Sequence, residues 1–258
     1  MSTRAATYDA EVLSRTPLAA HLVRLVLGGP GLAGFTSTGV PDEWVGLTVP
    51  GQFQSRYYTV REWTGTELSL DVVVHDVGLV TEWAAGECAG QTVTITEPKG
   101  SFAMPEGAAW LMLVGDLTAL PAMARIAETV DVPTRAWAEV PDDMSTYLPG
   151  LEVDWLGQPG DGVSRLADVV TDLVWPEGDG YFWMAGESAQ MRAIRKHLMR
   201  ERKLASTAYD VMGYWRAVAG RQPRAVDPGP IWREGKAAGR TDDEIWAAYD
   251  DAQQGAQP

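Results

Sequence analysis

The feature that most constrains this chain is a change of pattern near residue 105. Before it, short β-rich runs are separated by turn residues; after it, apolar runs alternate with helical stretches. The first part offers Glu11 to Leu13, Leu22 to Leu27, Leu47 to Val49, Tyr57 to Val60, Leu68 to Val74 and Thr92 to Ile95. Gly28-Gly29-Pro30-Gly31, Pro50-Gly51, Thr64-Gly65 and Pro98-Lys99-Gly100 punctuate them. Strands so spaced predict an antiparallel barrel. Within Leu68 to Val74 the alternation gives way to a continuous apolar run, which predicts a strand end buried on both faces.

Beyond Pro105, Trp110 to Val114 reads as a buried strand, Gly115-Asp116 as a turn, and Thr118 to Thr129 as a helix with Pro121 near its start. Thr134 to Val140 and Leu151 to Leu156 continue as strands, and Val163 to Leu173 as a helix. Tyr181 to Ala185 is a further strand, followed by the turn Gly186-Glu187-Ser188 and a helix from Ala189 to Arg202. This alternation predicts a parallel sheet flanked by helices, with ligands at the carboxyl ends of its strands. The expected organisation is a β-barrel domain over 1–105, an α/β domain over 106–220, and a linker with a C-terminal helix over 221–258. In that last segment, Gln222-Pro223 to Pro230 is rich in Pro and Gly, and Thr241-Asp-Asp-Glu244 resembles a capping box.

A length of 258 residues suits one large domain or two ordinary ones. Lys and Arg total 21 against 35 Asp and Glu, a net charge of -14, which repels phosphate backbones and anionic lipid. No nucleic-acid partner is therefore expected. Cys88 is the single cysteine, so the chain forms no intrachain disulfide and no iron–sulfur cluster of its own. Together with the lack of a secretory pattern over Met1 to Leu13, this predicts a cytoplasmic location. His21, His75 and His197 are far apart in sequence, and no metal site is expected. The most apolar stretch, Ala108 to Ala127, is interrupted by Asp116, Pro121 and Arg125, so no membrane span is expected.

The segment that carries chemistry is Arg56-Tyr57-Tyr58-Thr59-Val60-Arg61, an Arg-x-Tyr-Ser/Thr pattern on a strand. Side chains alternate along a strand, so Arg56 and Tyr58 share a face and aim a cation and a ring at one ligand. A flavin asks for that combination: positive charge for its pyrophosphate, a flat ring for its isoalloxazine, and a hydroxyl or amide near its N5. Taken alone, the segment also reads as an edge strand with a solvated arginine and a half-buried tyrosine. It is accompanied by Pro41-Asp42-Glu43-Trp44-Val45-Gly46-Leu47, Asp71-Val-Val-Val-His75 and Gly78-Leu79-Val80-Thr81-Glu82-Trp83-Ala84. Further on come Gly115-Asp116-Leu117-Thr118-Ala119-Leu120-Pro121-Ala122, Trp183-Met184-Ala185-Gly186-Glu187 and Gly213-Tyr214-Trp215-Arg216.

In this order and spacing the set resembles the siderophore-interacting protein family, flavin-dependent ferric-siderophore reductases of the ferredoxin-reductase-like superfamily, over residues 8–220. The resemblance implies an α+β two-lobe fold, an antiparallel β-barrel that binds FAD followed by an α/β parallel-sheet domain. It implies Arg56 as the pyrophosphate partner, Tyr58 as the stacking ring and Thr59 near flavin N5. Asp71 and His75 are implied at the ribityl or nucleotide portion, and Gly78 and Thr81 at the pyrophosphate, with Trp83 as core beneath it. Arg61, Asp116, Thr118 and Ala119 are further implied cofactor contacts, and Trp215 a shield or stacking partner. Electrons are expected from NAD(P)H or from a reduced ferredoxin, and no catalytic acid or base is expected, because electron transfer to a substrate-held iron requires none. The acid at Asp116 opposes a pyrophosphate at that turn, which brings the ferredoxin into competition. A general flavin or ferric-chelate reductase, or a siderophore-binding module without catalysis, are the alternative readings.

The sequence also departs from the family's pattern. Leu117 replaces the usual Glu, Leu79-Val80 a common Pro-Ala, and Gly46 and Gly157-Gln158 stand where cations are frequent. With cations missing and the chain acidic, a neutral or cationic hydroxamate siderophore is expected over an anionic catecholate.

Overall fold

The computed structural model describes residues 6–75, 78–159, 163–216, 238 and 240. The expected C-terminal linker and helix, including Glu244, Ile245 and Tyr249, lie outside these residues. Strands β1 (Thr7–Ala19), β2 (Leu22–Gly28), β3 (Trp44–Thr48), β4 (Arg56–Trp63), β5 (Leu68–Val73) and β6 (Thr92–Thr96) close a barrel in the order β1-β2-β5-β4-β3-β6. Every pairing in it is antiparallel. Val12, Leu25, Leu27, Val45, Leu47, Val60, Leu70 and Ile95 fill its interior, each fully buried. At about 1.5–3 kcal/mol per buried aliphatic side chain, this interior is what closes the sheet on itself. Helix α1 (Leu79–Ala85) adds Val80 and Ala84 to the same core.

The second lobe is a five-stranded sheet of β7 (Leu111–Asp116), β8 (Thr134–Val140), β9 (Glu152–Gly157), β10 (Tyr181–Glu187) and β11 (Tyr209–Trp215), ordered β11-β10-β7-β8-β9. All its pairings are parallel. Helix α2 (Leu120–Thr129) packs on one face with Leu111, Leu113 and Trp183; α3 (Leu166–Asp172) and α4 (Ser188–Arg200) pack on the other with Met112, Val114 and Phe182. The chain runs outward from β7 through β8 to β9, then returns to place β10 on the other side of β7. The strand order therefore reverses between β7 and β10, the position at which open α/β sheets bind ligands. Leu22 of the barrel is buried in the α2-side core, and Val73 packs against it, so barrel and sheet share apolar contact. No helix among the described residues is long and apolar enough to cross a membrane.

Several elements differ from the sequence reading, each for a physical reason. Gly115 and Asp116 are the last residues of β7 and not a turn. Gly115 is small because a Cβ there would come within 2.4 Å of Ala119 Cβ, where α2 closes on the strand. Gly186 and Glu187 likewise end β10. β3 begins at Trp44, its start concealed by Gly46, where a Cβ would lie 3.0 Å from both Ser55 and Thr96. β11 was not anticipated, because Asp210 and Gly213 break its β-rich pattern. Gly213 is required there because a Cβ would meet Ser188 Oγ at 2.6 Å.

Candidate functional site

Strand β4 passes from solvent to core along its length. Arg56, Tyr58 and Val60 lie on one face, running from exposed through half-buried to fully buried inside the barrel. The Arg56 side chain has no hydrogen-bond or ion-pair partner among the described residues, and Tyr57 beside it is 69% exposed. Burial pushes the Tyr58 phenol up to about 12, against the nearby positive charge of Arg56. Thr59 points the opposite way and is buried. Its neighbour there is Tyr214 of β11, whose buried hydroxyl lies near the Thr59 side chain without good hydrogen-bond geometry to it. Burial, above all, drives the Tyr214 phenol far above its ordinary range, so it remains a donor. Trp183 meets the Tyr214 ring edge to face at 6.4 Å, and its Nε1 is also buried without a partner.

The sequence reading placed Arg61 with these residues. The bulge between Val60 and Glu62 instead turns it to α2, where Nη2 and Nη1 bind the Glu128 carboxylate at 2.5 and 3.0 Å. Arg61, Arg24, Trp63, Arg125 and Glu128 line a cavity of about 380 Å³ that shares no lining residue with Arg56, Tyr58 and Thr59. Arg125 anchors α2 to the barrel through Val60 O at 2.6 Å and Glu43 Oε1 at 3.1 Å.

Asp71 and Thr81 are engaged inside the protein. Arg24 clamps Asp71 with two bonds of 2.7 Å, and the Tyr147 hydroxyl donates to its Oδ2, joining barrel to sheet lobe. Thr81 Oγ1 accepts the His75 amide at 2.6 Å and donates to the His75 carbonyl at 3.1 Å. The hydroxyl thus closes the loop ahead of α1, and its position in the chain is explained without a ligand. Gly78 precedes α1 with φ +134°, a conformation other residues rarely adopt, and the His75 ring lies 3.6 Å from where its Cβ would be. The exposed His75 ring remains available. Trp83 packs against the barrel core and donates to Gln91 Oε1 at 2.8 Å.

At the carboxyl edge of the sheet, three neighbouring strands end in buried acids. Asp116 ends β7, Glu139 stands opposite it on β8, and Glu187 ends β10. Asp116 Oδ1 accepts from Thr118 N at 2.9 Å and Thr118 Oγ1 at 2.5 Å; its Oδ2 accepts from Trp215 Nε1 at 2.6 Å. Burial raises the pKa of Asp116 against these bonds. Glu187 Oε2 takes the Ala189 and Gln190 amides that open α4, and Glu139 Oε2 takes the Arg165 amide ahead of α3. Ala119, fully buried, returns its amide to Asp116 O. The Thr118, Arg165, Ala189 and Gln190 amides at this edge are thus taken by the chain's own carboxylates.

These observations test the fit of a flavin. A buried hydroxyl without a partner costs about 1–3 kcal/mol, a cost that the polar edge of a cofactor beside Thr59 and Tyr214 would offset. Arg56 and Tyr58, an unengaged cation and a half-buried ring, lie on the opposite face of the same strand β4. Arg56 and the exposed His75 ring are left open to a ligand, whereas Asp71, Thr81 and Asp116 are engaged within the protein. Tyr214 is the residue that the sequence reading left without a role, although its segment Gly213-Tyr214-Trp215-Arg216 was singled out.

Comparison with known proteins gives the same direction. A family model described as siderophore-interacting protein matches residues 108–218, and one described as siderophore-interacting FAD-binding domain matches residues 50–102. An uncharacterised Mycobacterium tuberculosis protein is 31% identical over 251 residues, covering 80% of this chain and 89% of its own. The Escherichia coli NADPH-dependent ferric-chelate reductase is 28% identical, over 80% of this chain and 91% of its own. Among solved structures, a siderophore utilization protein from T. fusca superposes with a TM-score of 0.72 at 28% identity, covering 83% of this chain and 94% of that one. A ferredoxin reductase of a carbazole 1,9a-dioxygenase shares the fold alone, with a TM-score of 0.65 at 14% identity over 83% of this chain and 71% of its own.

Proposed function

From the premise that the chain belongs to the siderophore-interacting protein family, we propose that it is an FAD-dependent oxidoreductase that reduces imported ferric siderophores and releases iron as Fe(II). The observation that carries this reading is strand β4, with unengaged Arg56 and half-buried Tyr58 on one face and Thr59, near the buried Tyr214 hydroxyl, on the other. When bound, FAD supplies the ability to accept two electrons and pass them on singly.

Arg56 supplies charge to the pyrophosphate, and His75 with the Gly78 turn borders the nucleotide portion. Tyr58 presents its ring, and burial keeps its phenol protonated at ordinary pH. Thr59 and Tyr214 offer hydroxyls to the polar edge of the ring system. Trp215, oriented by its bond to Asp116, screens the site from water. Asp71 holds Arg24 and Tyr147 and thereby the lobe arrangement. Iron stays in the siderophore, whose hard oxygen donors favour Fe(III), so one added electron loosens the complex without any protein ligand to the metal.

The reductant in this reading is NAD(P)H or reduced ferredoxin. The capped amides at Asp116, Glu139 and Glu187 support a dinucleotide docked away from the switch point, or delivery by the ferredoxin. The net charge of -14 supports a neutral or cationic hydroxamate complex over a catecholate, in the cytoplasm. The test is anaerobic flavin reduction by NADH, NADPH and ferredoxin, followed by mixing with ferrioxamine and a trianionic ferric catecholate. A colourless protein that cannot be reconstituted with FAD overturns the main reading. Equal rates for the two iron complexes overturn the hydroxamate preference.

A further inference from the structure

Ser101 makes more oxygen contacts than its single proton can serve. Its Oγ lies 2.9 Å from Asp42 Oδ2 and 2.6 Å from Asp210 Oδ2, with Met212 Sδ at 3.0 Å. A serine hydroxyl donates once, and ionised carboxylates only accept. Both oxygen contacts are hydrogen bonds only if a second proton sits on one of the two acids. Asp42 is fully buried, and its Oδ1 already accepts the amides of Ser101 and Phe102, each at 2.9 Å, which casts Asp42 as the acceptor of the pair. Asp210 is then the acid that would carry the second proton.

The placement of these residues gives that proton a task. Asp42 precedes β3 and Ser101 follows β6, so both belong to the barrel side, whereas Asp210 lies on β11, the edge strand with β10 as its only sheet neighbour. Asp210, Met212 and Tyr214 share one face of β11 by strand alternation. We propose that Asp210 donates to Ser101 and Ser101 to Asp42, and that this proton-dependent clasp is the positioning device that holds β11, and with it Tyr214, against Thr59. The proton count stands on geometry alone; the consequence for Tyr214 rests on the flavin reading above.

Burial first, and the Asp42 charge with it, raise the pKa of Asp210; the Val211 amide, Arg195 of α4 and a Ser101 hydroxyl donating to it act the other way, and in the clasp the Ser101 oxygen accepts instead. Tyr181 of β10 and Tyr214 are the other titratable groups on it, both held neutral by burial. The folded pKa is raised, so the folded state retains a proton that the unfolded chain has lost. Stability from this group is present at acid pH and falls as pH rises from the ordinary carboxylate range through the folded value.

The test compares the full chain with Asp210→Asn and Ser101→Ala, supplied with FAD, by urea unfolding at pH values from about 5 to about 9, a range above the ordinary aspartate pKa. Asparagine keeps a donor towards Ser101 at every pH. Across that range the unfolding constant of the native chain should rise about tenfold for each unit by which the Asp210 pKa exceeds about 5. Asp210→Asn should shrink that step to the part that other buried acids such as Asp116 contribute, and Ser101→Ala should lower the acid-side stability towards the alkaline-side level. The visible spectrum of bound flavin should shift with the same midpoint in the native chain and not in Asp210→Asn. An unchanged step in Asp210→Asn, or no step in the native chain, overturns the clasp. Should Asp210→Asn not fold, Ser101→Ala with an undiminished step overturns it as well. A protein that takes up no FAD still answers the stability arm, so failure of the flavin reading is distinguishable. A step without a spectral shift removes the positioning of Tyr214.

Discussion

The indole N–H of Trp215 donates to Asp116 Oδ2 at 2.6 Å, tying together the ends of β11 and β7 across 99 positions of sequence. The same oxygen would lie 2.6 Å from a Cβ at Gly186, whose φ of +153° already excludes most side chains. The carboxylate therefore occupies the floor of the crevice between β7 and β10. It orients an aromatic ring there.

Trp215→Phe keeps a ring and removes this donor. We expect a loss of about 1–3 kcal/mol in urea unfolding, because a buried carboxylate oxygen loses its partner. Asp116→Asn should cost about the same, by turning an amide N–H or a weaker acceptor toward Trp215. In a double-mutant cycle the two losses should be markedly less than additive.

Arg56 lies exposed and without a described partner, so Arg56→Ala should leave the unfolding midpoint unmoved. Loss of a charge-assisted contact of about 1.5–3 kcal/mol should weaken FAD binding by about ten- to a hundredfold in a fluorescence titration. A stability loss with unchanged FAD affinity would contradict the assignment.

The Arg24 and Asp71 pair should matter for stability. Asp71→Asn breaks a bidentate bond to a partly exposed arginine and disturbs the Tyr147 donor. We expect a loss of about 2–3 kcal/mol, below the range for fully buried pairs because Arg24 retains 31% exposure. Differential unfolding of Tyr147→Phe, with a loss of about 1 kcal/mol, would separate the phenol's part.

Alkaline pH should destabilise the chain through its tyrosines. Burial holds the Tyr58 and Tyr181 phenols up to about 12 and pushes those of Tyr147 and Tyr214 higher. Unfolded tyrosines ionise near pH 10, so between roughly 10 and 12 the folded chain holds more protons than the unfolded one, and stability falls as pH rises. Tyrosinate absorbance should show four of the eight tyrosines titrating late while the chain stays folded. Uniform titration near pH 10 would contradict the burial described.

The site divides by how local its signals are. The faces of β4 that carry Arg56, Tyr58 and Thr59 were legible because strand alternation places neighbours in sequence on defined faces. Arg61 misled, since a bulge that the sequence does not announce turned it to Glu128. Asp71, Thr81 and Asp116 were legible as important but not as internal: Tyr147, His75 and Trp215 reach them only once the chain is folded. β11 was hidden because Asp210 and Gly213 suit their tertiary neighbours and not a strand pattern.

By itself, the sequence determined the two-lobe architecture, because hydrophobic period and turn residues act over a few positions and change near residue 105. It also marked β4 as the strand on which the flavin proposal rests. The tertiary structure alone decided which polar groups face a ligand and which face one another. That depends on contacts such as Ser101 with Asp210, 109 positions apart. Burial decides the outcome: once desolvated, each carboxylate and hydroxyl must find a partner within hydrogen-bond reach, and only the closed barrel and its sheet set who that partner is.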